Sequence, residues 1–423
     1  MSPREDESNL VEGHENLAMY HDDPPLLAAS RHLLKPNGSI LGREVAEAIL
    51  PKFQTFCSAI PTISRQSHPA LASIDGRRSL THERVYDFCV NEFGRMLHEL
   101  EFGKGDRIAL VLPNGPELAL AIVATAHWAS CVPLSANGAL SELESDLLRC
   151  GAKLVIGPYS GPLLASRSDS MSDDEEENVE SPFSVMTNSK EQDWSAFRCI
   201  EESAAKLNIP FVGLVPSPTE AGIFRLQPIR FSIPLEFNQV KTLTTIRQEH
   251  GFKVSREPNH AEDEVLVLFT SGTTGNKKLV PHRLDAMLTA AATISLSWAL
   301  NQSDVNCNLM PLFHVGGIVR QVFSPIFSGG CVICCPSFDP SIFWALLKKG
   351  AFTWYYASPT MHHMILQTGK DEGFIDENSR CNFKLRMIAN AAGGLLPSLA
   401  EEMLKTFHAN VSFLVAILGL SLC

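Results

Sequence analysis

Short apolar runs alternate with longer amphipathic segments along most of the chain. Residues 264–269 form a nearly all-apolar run that is typical of a strand buried on both faces, and residues 107–112 form a second strand-like run. Residues 116–129 and 284–300 instead repeat apolar positions at helical spacing. Strands that alternate with helices predict an α/β fold, with largely parallel sheets and helices on both faces.

The remaining elements continue this alternation. Residues 71–81 predict two short strands around a turn at Asp75-Gly76, and residues 85–100 predict a helix. Further strands are predicted at 131–134, 153–156, 308–310, 331–335, 353–357 and 383–389, and further helices at 141–150, 317–327, 339–349, 359–367 and 397–407.

Changes in composition divide the chain into five predicted parts. Residues 1–45 are polar and are expected to lie outside the core. Residues 46–165 and 193–414 carry the α/β elements, as the first and second parts of the main domain. Residues 166–192 are rich in serine and acidic residues, which bury too little apolar surface to offset the entropy of ordering, and predict a surface insertion. Residues 415–423 form an apolar tail.

The overall composition is that of a globular protein and excludes several classes. The chain has 423 residues, is 45% hydrophobic and 19% charged, and so has room for two or three packed subdomains. A net charge of −12 argues against general affinity for nucleic acid. The acidic N-terminus is unlike a signal peptide, and no apolar run reaches the roughly 20 residues needed to span a membrane.

Eleven cysteines show no pairing pattern, which favours a reducing compartment and a cytoplasmic location. Residues 331–335 could be interpreted as half of a zinc site, but no second pair follows at metal spacing. A core strand is therefore predicted there, and no metal-ligating residue is assigned.

A loop of small and hydroxyl-bearing residues follows the predicted strand at 264–269 and predicts a phosphate site. Glycines let the backbone bring its N–H groups close to a ligand, and Lys277 and Lys278 add positive charge. A solvated turn is the alternative. The spacing differs from a Walker loop, since only two residues separate the two glycines and no hydroxyl follows the lysines. The candidate phosphate-binding residues are Thr270, Ser271, Gly272, Thr273, Thr274 and Gly275.

This loop, from Thr270 to Lys278, resembles the signature loop of the adenylate-forming enzymes, the AMP-dependent synthetases and ligases that include the acyl-CoA synthetases. Residues 105–117, 132–135, 151–156 and 310–317 are similar to other motifs of that superfamily and follow in its order. The resemblance covers roughly residues 55–415, most of the large N-terminal domain of such enzymes. It implies two stacked α/β subdomains with mostly parallel sheets, and ATP, Mg²⁺ and coenzyme A as cofactors.

The same resemblance implies roles for individual residues. Lys278 occupies the position of the loop lysine, although Lys277 and Leu279 stand where proline and glycine are usual. His314 is expected to border the carboxylic acid substrate; a buried core histidine is the alternative. Residues 354–360 resemble the far side of the acyl pocket, and would otherwise be core aromatics. The turn against which adenine would lie consists of Asn390, Ala391, Ala392 and Gly393.

One expected motif is missing. Members of the superfamily carry Tyr-Gly-x-Thr-Glu after the adenine turn, with the glutamate holding Mg²⁺, but residues 417–421 read Ile-Leu-Gly-Leu-Ser. We therefore expect the C-terminal lid domain to be absent, through a shifted frame, a retained intron or an alternative exon, and activity to be impaired.

The sequence is compatible with three functions. The first is an AMP-forming carboxylic acid–CoA ligase that acts on a small-molecule acid. The second is an adenylation domain that activates an amino acid, as in peptide synthetases. The third is a non-catalytic remnant that binds a nucleotide or acyl ligand. An amino-acid site would require an acidic residue for the ammonium group, and residues 309–319 contain none, so the sequence favours the acid–CoA ligase.

Overall fold

Two seven-stranded sheets organise the protein, which we describe from a computed structural model. The structure describes residues 23–35, 39–61, 69–159, 182–185, 197–228, 255–270, 277–375, 383–390 and 393–407, and the backbone of 412–415. Within these residues the strands are β1 (Pro69–Ser73), β2 (Leu80–Thr81), β3 (Arg107–Leu110), β4 (Ser130–Pro133), β5 (Leu154–Pro158), β6 (Phe211–Pro216), β7 (Phe224–Pro228), β8 (Glu264–Thr270), β9 (Lys278–Arg283), β10 (Val305–Asn308), β11 (Cys331–Cys334), β12 (Trp354–Ala357), β13 (Met387–Asn390) and β14 (Ser412–Val415).

The two sheets do not follow the order of the chain. One sheet, here called sheet I, has the order β14-β13-β12-β10-β11-β1-β2, and the other, sheet II, has the order β7-β6-β5-β3-β4-β8-β9. Neighbouring strands are parallel except in the pairs β1–β2, β6–β7 and β8–β9. Sheet I therefore takes β1 and β2 from the early chain, and sheet II takes β8 and β9 from beyond residue 260. The domain boundaries predicted from composition remain a prediction.

Helices pack on and between the sheets. They are α1 (Pro25–Ser30), α2 (Gly42–Ile49), α3 (His82–Asp87), α4 (Gly94–Glu99), α5 (Pro116–Trp128), α6 (Leu140–Cys150), α7 (Arg198–Lys206), α8 (Leu284–Ser297), α9 (Ser324–Phe327), α10 (Pro340–Lys348), α11 (Pro359–Asp371) and α12 (Pro397–Phe407). All 13 residues of α5 are buried, because this helix contacts β3, β4 and β8 of sheet II and also β1 and β11 of sheet I. A helix that is apolar all round needs such a covered position.

Two segments adopt the wider π-helical turn. They are Phe88–Phe93, between α3 and α4, and Gly316–Phe323, directly before α9. Both lie in regions where the sequence predicts ordinary helices, at 85–100 and 317–327. π-Helical turns are rare and often occur at functional sites.

The α/β class and the mostly parallel sheets are confirmed, and so is the buried strand at residues 331–335, observed at Cys331–Cys334. The predicted hairpin around Asp75-Gly76 is formed by β1 and β2, and Gly76 has the positive φ of 89° that such a turn requires. The strand predicted at 308–310 lies earlier, at Val305–Asn308.

Where the structure describes them, residues 1–45 do not lie wholly outside the core, and residues 166–192 do not lie wholly on the surface. Leu26 and Leu27 of the polar N-terminal part are fully buried, because α1 packs its short apolar stretch against α2 and α8. Phe183, within the predicted surface insertion, is also buried, and Val185 donates its backbone N–H to the Ile74 carbonyl. A few apolar residues are enough to anchor a segment whose average composition is polar. The rest of the insertion, residues 1–22 and residues 416–423 lie outside the described residues.

Other expectations concern membranes and metals. Among the described residues no helix is long and apolar enough to cross a membrane. Over the same part of the chain, no group of three or more His, Cys, Asp or Glu side chains could hold a metal ion. The described cysteines are free thiols, most of them buried.

Candidate functional site

The predicted phosphate loop connects the two strands of a hairpin. β8 and β9 pair antiparallel, with Thr270 directly opposite Lys278 at the point where the loop leaves the hairpin. Directly opposed residues place their side chains on the same face, about 5 Å apart at Cβ. The loop residues Ser271, Gly272, Thr273, Thr274 and Gly275 lie outside the described residues. Thr270 and Lys278 therefore mark the base of the loop.

The structure distinguishes the two lysines beside this loop. The Lys277 ammonium forms ion pairs of 2.6 Å with Glu142 and 2.5 Å with Asp146, both on α6. Burial alone would lower the pKa of Lys277, but hydrogen bonds from the lysine to these two carboxylates raise it above its usual value. Arg149, also on α6, donates to the Lys277 carbonyl. Lys277 thus ties the end of the loop to α6.

Lys278 has a different environment. Its side chain is exposed, and it has no hydrogen-bond or ion-pair partner among the residues that the structure describes. From composition alone the sequence predicts that both lysines add charge to the loop, and only the family resemblance singles out Lys278. The contacts show that one lysine is occupied by the protein and that the other is available to a ligand.

Asn114 connects the carboxyl ends of the two sheets. It follows β3 of sheet II, and its amide donates to the carbonyl of Cys335, just beyond β11 of sheet I, at 2.8 Å. Its Oδ1 accepts from the backbone N–H of Leu312 at 2.9 Å. Because β3 and β8 both run parallel to β4, the phosphate loop leaves the same edge of sheet II as Asn114. The edge that bears the phosphate loop therefore adjoins the turn that carries His314.

His314 lies in a tight turn between β10 and the π-helix Gly316–Phe323. Its backbone N–H donates to the Pro311 carbonyl at 3.3 Å, and its ring contacts the Phe313 ring at 4.6 Å between centroids. The His314 side chain remains accessible, and partial burial lowers its pKa. The imidazole is therefore neutral at neutral pH, able both to donate and to accept a hydrogen bond.

Gly317 is required by close backbone approach in the same turn. A Cβ at this position would lie 2.2 Å from the Pro311 carbonyl oxygen and 3.0 Å from its carbon. No side-chain movement can relieve such a clash, because both atoms belong to the backbone.

We expect Gly317→Ala to lower the free energy of unfolding by about 1–3 kcal/mol, since forced overpacking displaces the backbone. Denaturant unfolding followed by circular dichroism measures this change. Gly394→Ala is the matched control, because no atom lies within 4 Å of its Cβ position. Equal stability of the two variants would contradict the expected clash.

The predicted adenine turn begins where β13 ends. Asn390 is buried, and its amide N–H donates to the Gly393 carbonyl at 2.7 Å, which closes the turn. The other side-chain atom, Oδ1, is buried without a hydrogen-bond partner in the described structure. Ala391 and Ala392 lie outside the described residues. An unused buried acceptor beside an exposed glycine turn is suited to a ligand that carries an N–H group.

Arg320 is a candidate site residue to which the sequence assigns no role. It lies on the π-helix and donates from Nη1 to the hydroxyl of Tyr356 on β12 at 3.1 Å. The Arg320 Cζ also lies 5.2 Å from the centroid of the Tyr356 ring. The signal for it in the sequence is that Arg320 is the single Lys or Arg in residues 309–327.

The fold, together with the two carboxyl ends of the sheets that Asn114 joins, defines the class of protein. Two mostly parallel sheets with a glycine- and hydroxyl-rich hairpin loop form the large domain of the adenylate-forming enzymes. The sequence profile described as "AMP-binding enzyme" matches residues 63–421, and the chain belongs to that family.

Curated relatives carry CoA ligase and acyl-CoA synthetase names. The chain is 26% identical over 342 residues to an oxalate–CoA ligase of Arabidopsis thaliana, covering 80% of this chain and 55% of that protein. It is 26% identical over 363 residues to the acyl-CoA synthetase ALT10 of Alternaria alternata, covering 83% and 57%. The chain thus spans about half the length of these relatives.

Solved structures share the fold at low identity. ATP-bound MatB from Rhodopseudomonas palustris superposes with a TM-score of 0.59 and 18% identity, over 85% of this chain and 59% of that one. VinN in complex with L-aspartate gives a TM-score of 0.55 and 14% identity, over 83% and 71%. At these identities the comparison supports the fold alone.

Proposed function

We propose that the protein is the large domain of an AMP-forming carboxylic acid–CoA ligase. In this reaction a carboxylate oxygen of the acid attacks the α-phosphorus of ATP and pyrophosphate leaves. The thiol of coenzyme A then attacks the acyl carbonyl, forming the thioester and releasing AMP. The observation that carries the proposal is the availability of Lys278 at the base of the phosphate loop, on an edge that adjoins the His314 turn. Family membership and the names of the relatives support the reaction class.

The proposed roles follow from charge and position. Lys278 would neutralise the charge that develops on the departing pyrophosphate, together with Thr270 and the loop residues Ser271–Gly275. Adenine would lie against the turn from Asn390 to Gly393, where the Asn390 Oδ1 could accept from its amino group. His314 would contact the reacting acid. Mg²⁺ would accompany the nucleotide, and no residue of this chain is assigned to it.

Acid-dependent exchange of labelled pyrophosphate into ATP tests the first half-reaction, and thioester formation with coenzyme A tests the second. Both are measured on the 423-residue chain and on the longest chain that its transcript encodes. On the longest encoded chain we expect exchange that requires a carboxylic acid. Absence of exchange with every acid on both chains would reject the enzyme and favour a nucleotide- or acyl-binding protein.

Arg320 argues against an amino acid as the substrate. It has no carboxylate partner among the described residues, so its positive charge would repel a substrate ammonium group. Exchange that depends on amino acids rather than on simple acids would reverse this preference. We also propose a reducing location such as the cytosol, supported by the free thiols of the described cysteines.

We expect His314→Ala to raise the KM for the acid about threefold to tenfold and to leave the KM for ATP nearly unchanged. A lost neutral hydrogen bond typically has this effect on one ligand alone. Steady-state exchange at varied acid and varied ATP measures both constants.

His363→Ala is the control for that experiment, because His363 is exposed on α11 and belongs to no predicted site. A change in the KM for ATP alone would mean that His314 does not border the acid.

A further inference from the structure

Arg320 is a cation that the described protein does not neutralise. It is half-buried, its Nη1 donates to the Tyr356 hydroxyl, and the described residues provide no ion pair to it. Removing a charge even partly from water costs free energy, which a partner of opposite charge offsets. An unpaired guanidinium beside a proposed substrate pocket calls for an explanation.

The Tyr356 hydroxyl does not supply the missing charge. Tyr356 is buried, and burial raises the pKa of its phenol, although the adjacent Arg320 acts in the opposite direction. The phenol is therefore neutral at physiological pH, and it accepts the hydrogen bond from Arg320 as an uncharged oxygen. Arg320 keeps its full positive charge and most of its five N–H donors for another group.

Buried polar contacts hold the helix that carries Arg320. The side chain of its neighbour Gln321 donates to the Cys307 carbonyl at 3.2 Å and accepts from the Met310 N–H at 3.2 Å. Asn306 donates to the Gln321 carbonyl at 2.9 Å. These bonds join the π-helix Gly316–Phe323 to β10 and to the turn before His314. The position of the Arg320 backbone is thereby fixed relative to β10.

The Arg320 side chain extends back along this helix to Gly316. Helical side chains lean toward the N-terminus of their helix, and the Arg320 Nη1 lies 3.5 Å from the position of a Cβ on Gly316. The Tyr356 hydroxyl lies 3.2 Å from the same position. Gly316 follows His314 by two residues, and Tyr356 precedes Ala357, which pairs with Asn390. The guanidinium thus lies against Gly316 and Tyr356, and these two residues are close in the chain to His314 and to the strand end at Ala357, which pairs with Asn390.

We propose that Arg320 is a specificity residue that binds a second carboxylate on the acid substrate, so that the protein selects dicarboxylic acids. This inference rests on the proposed function. One carboxylate would react at phosphorus, while the other would meet the planar fork of Arg320, which matches a carboxylate with two parallel hydrogen bonds. Tyr356 would hold the guanidinium in place by its hydrogen bond and by stacking.

Matched pairs of ligands isolate this role. Each diacid is compared with its mono-amide, which has nearly the same shape but one charge fewer. The pairs are oxalate with oxamate, malonate with malonamate, succinate with succinamate, and glutarate with glutaramate. Binding to the 423-residue chain is measured by calorimetry in the presence of α,β-methylene ATP.

In at least one pair we expect the wild-type protein to bind the diacid about tenfold or more tightly than the amide, as charge-assisted hydrogen bonds allow. Arg320→Gln should reduce that ratio to about one, and Arg320→Lys should retain part of it. Thermal unfolding of each variant checks that the fold is kept. Lys348→Gln is the matched charge control, because Lys348 is a cation on α10 that also lies over an aromatic ring, that of Phe374, and belongs to no predicted site.

Three results would overturn the inference: no binding of any diacid, no preference for a diacid in any pair, or an equal preference in Arg320→Gln. Pyrophosphate exchange with the same acids separates the two proposals. Exchange with monoacids and no diacid preference would retain the ligase and reject the role of Arg320. Diacid binding that depends on Arg320, with no exchange on any chain, would reject the ligase.

Discussion

In the longest chain that the transcript encodes, Lys278→Ala should lower the rate of acid-dependent pyrophosphate exchange about 100- to 1,000-fold while leaving thermal unfolding unchanged. Loss of one strong electrostatic contact to developing charge typically has an effect of this size. The fold should tolerate the change, because Lys278 is exposed and has no partner in the described structure. Exchange kinetics at saturating ATP and acid, beside a thermal melt, measure the two effects.

Lys277→Ala is the matched control, since it removes the adjacent lysine. Its ammonium is held by Glu142 and Asp146, so this variant should lose stability, by about 1 kcal/mol or less for a partly exposed ion pair. Exchange should fall much less than in Lys278→Ala. If the two variants exchanged pyrophosphate equally well, Lys278 would have no special place in the reaction.

Glu117→Ala should lower the free energy of unfolding by about 3 kcal/mol or more, because it breaks a buried ion pair by removing one partner. Glu117 lies on α5, is 7% exposed, and accepts from the Arg77 guanidinium and from the Gly222 N–H. Arg77 also contacts Asp75 and the Ser217 carbonyl. The cluster thus joins the turn after β1, the central helix and the β6–β7 loop, and so connects both sheets.

Denaturant unfolding gives the change directly, with Glu117→Gln as a milder variant that keeps the side-chain shape. Glu47→Ala is the control: its ion pair with Arg43 is exposed, with 64% and 90% of the two side chains accessible, and should contribute less than about 0.5 kcal/mol. Similar losses in Glu117→Ala and Glu47→Ala would show that the buried cluster does not hold the sheets together.

Local pattern predicts most of the elements of this protein. The helix predicted at 397–407 is observed at Pro397–Phe407, and the strand predicted at 107–112 is observed at Arg107–Leu110. The π-helix Gly316–Phe323 is not predictable in this way, because apolar periodicity does not separate it from an α-helix. Its wider turn accompanies buried hydrogen bonds of Gln321 to residues 307 and 310, which belong to another part of the fold.

In the candidate site, too, some features are predictable from local sequence and others depend on distant parts of the chain. Glycines, hydroxyls and lysines mark residues 270–278 as a phosphate loop, since such chemistry is local to one segment. The sequence does not show that Lys277 pairs with α6 while Lys278 has no side-chain partner among the described residues, because Glu142 and Asp146 lie more than 130 residues earlier. Arg320 is likewise recognisable as a site residue only through Tyr356 and Gly316.

The sequence by itself determined the α/β class, the order of most strands and helices, and the segments that carry the candidate chemistry, because periodicity and turn composition act over a few residues. It did not predict β6, β7 and β9 or α1, α2 and α7. Only the tertiary structure decided which strands share a sheet. It placed β1 and β2 beside β11, and β8 and β9 beside β4, so that each sheet joins early and late parts of the chain. Strand partners are selected by burial and hydrogen bonding between distant segments. Apolar periodicity and turn composition cannot make this selection, because every apolar strand satisfies them equally well. That selection brings Asn114 to Leu312 and so makes one candidate site from two sheets.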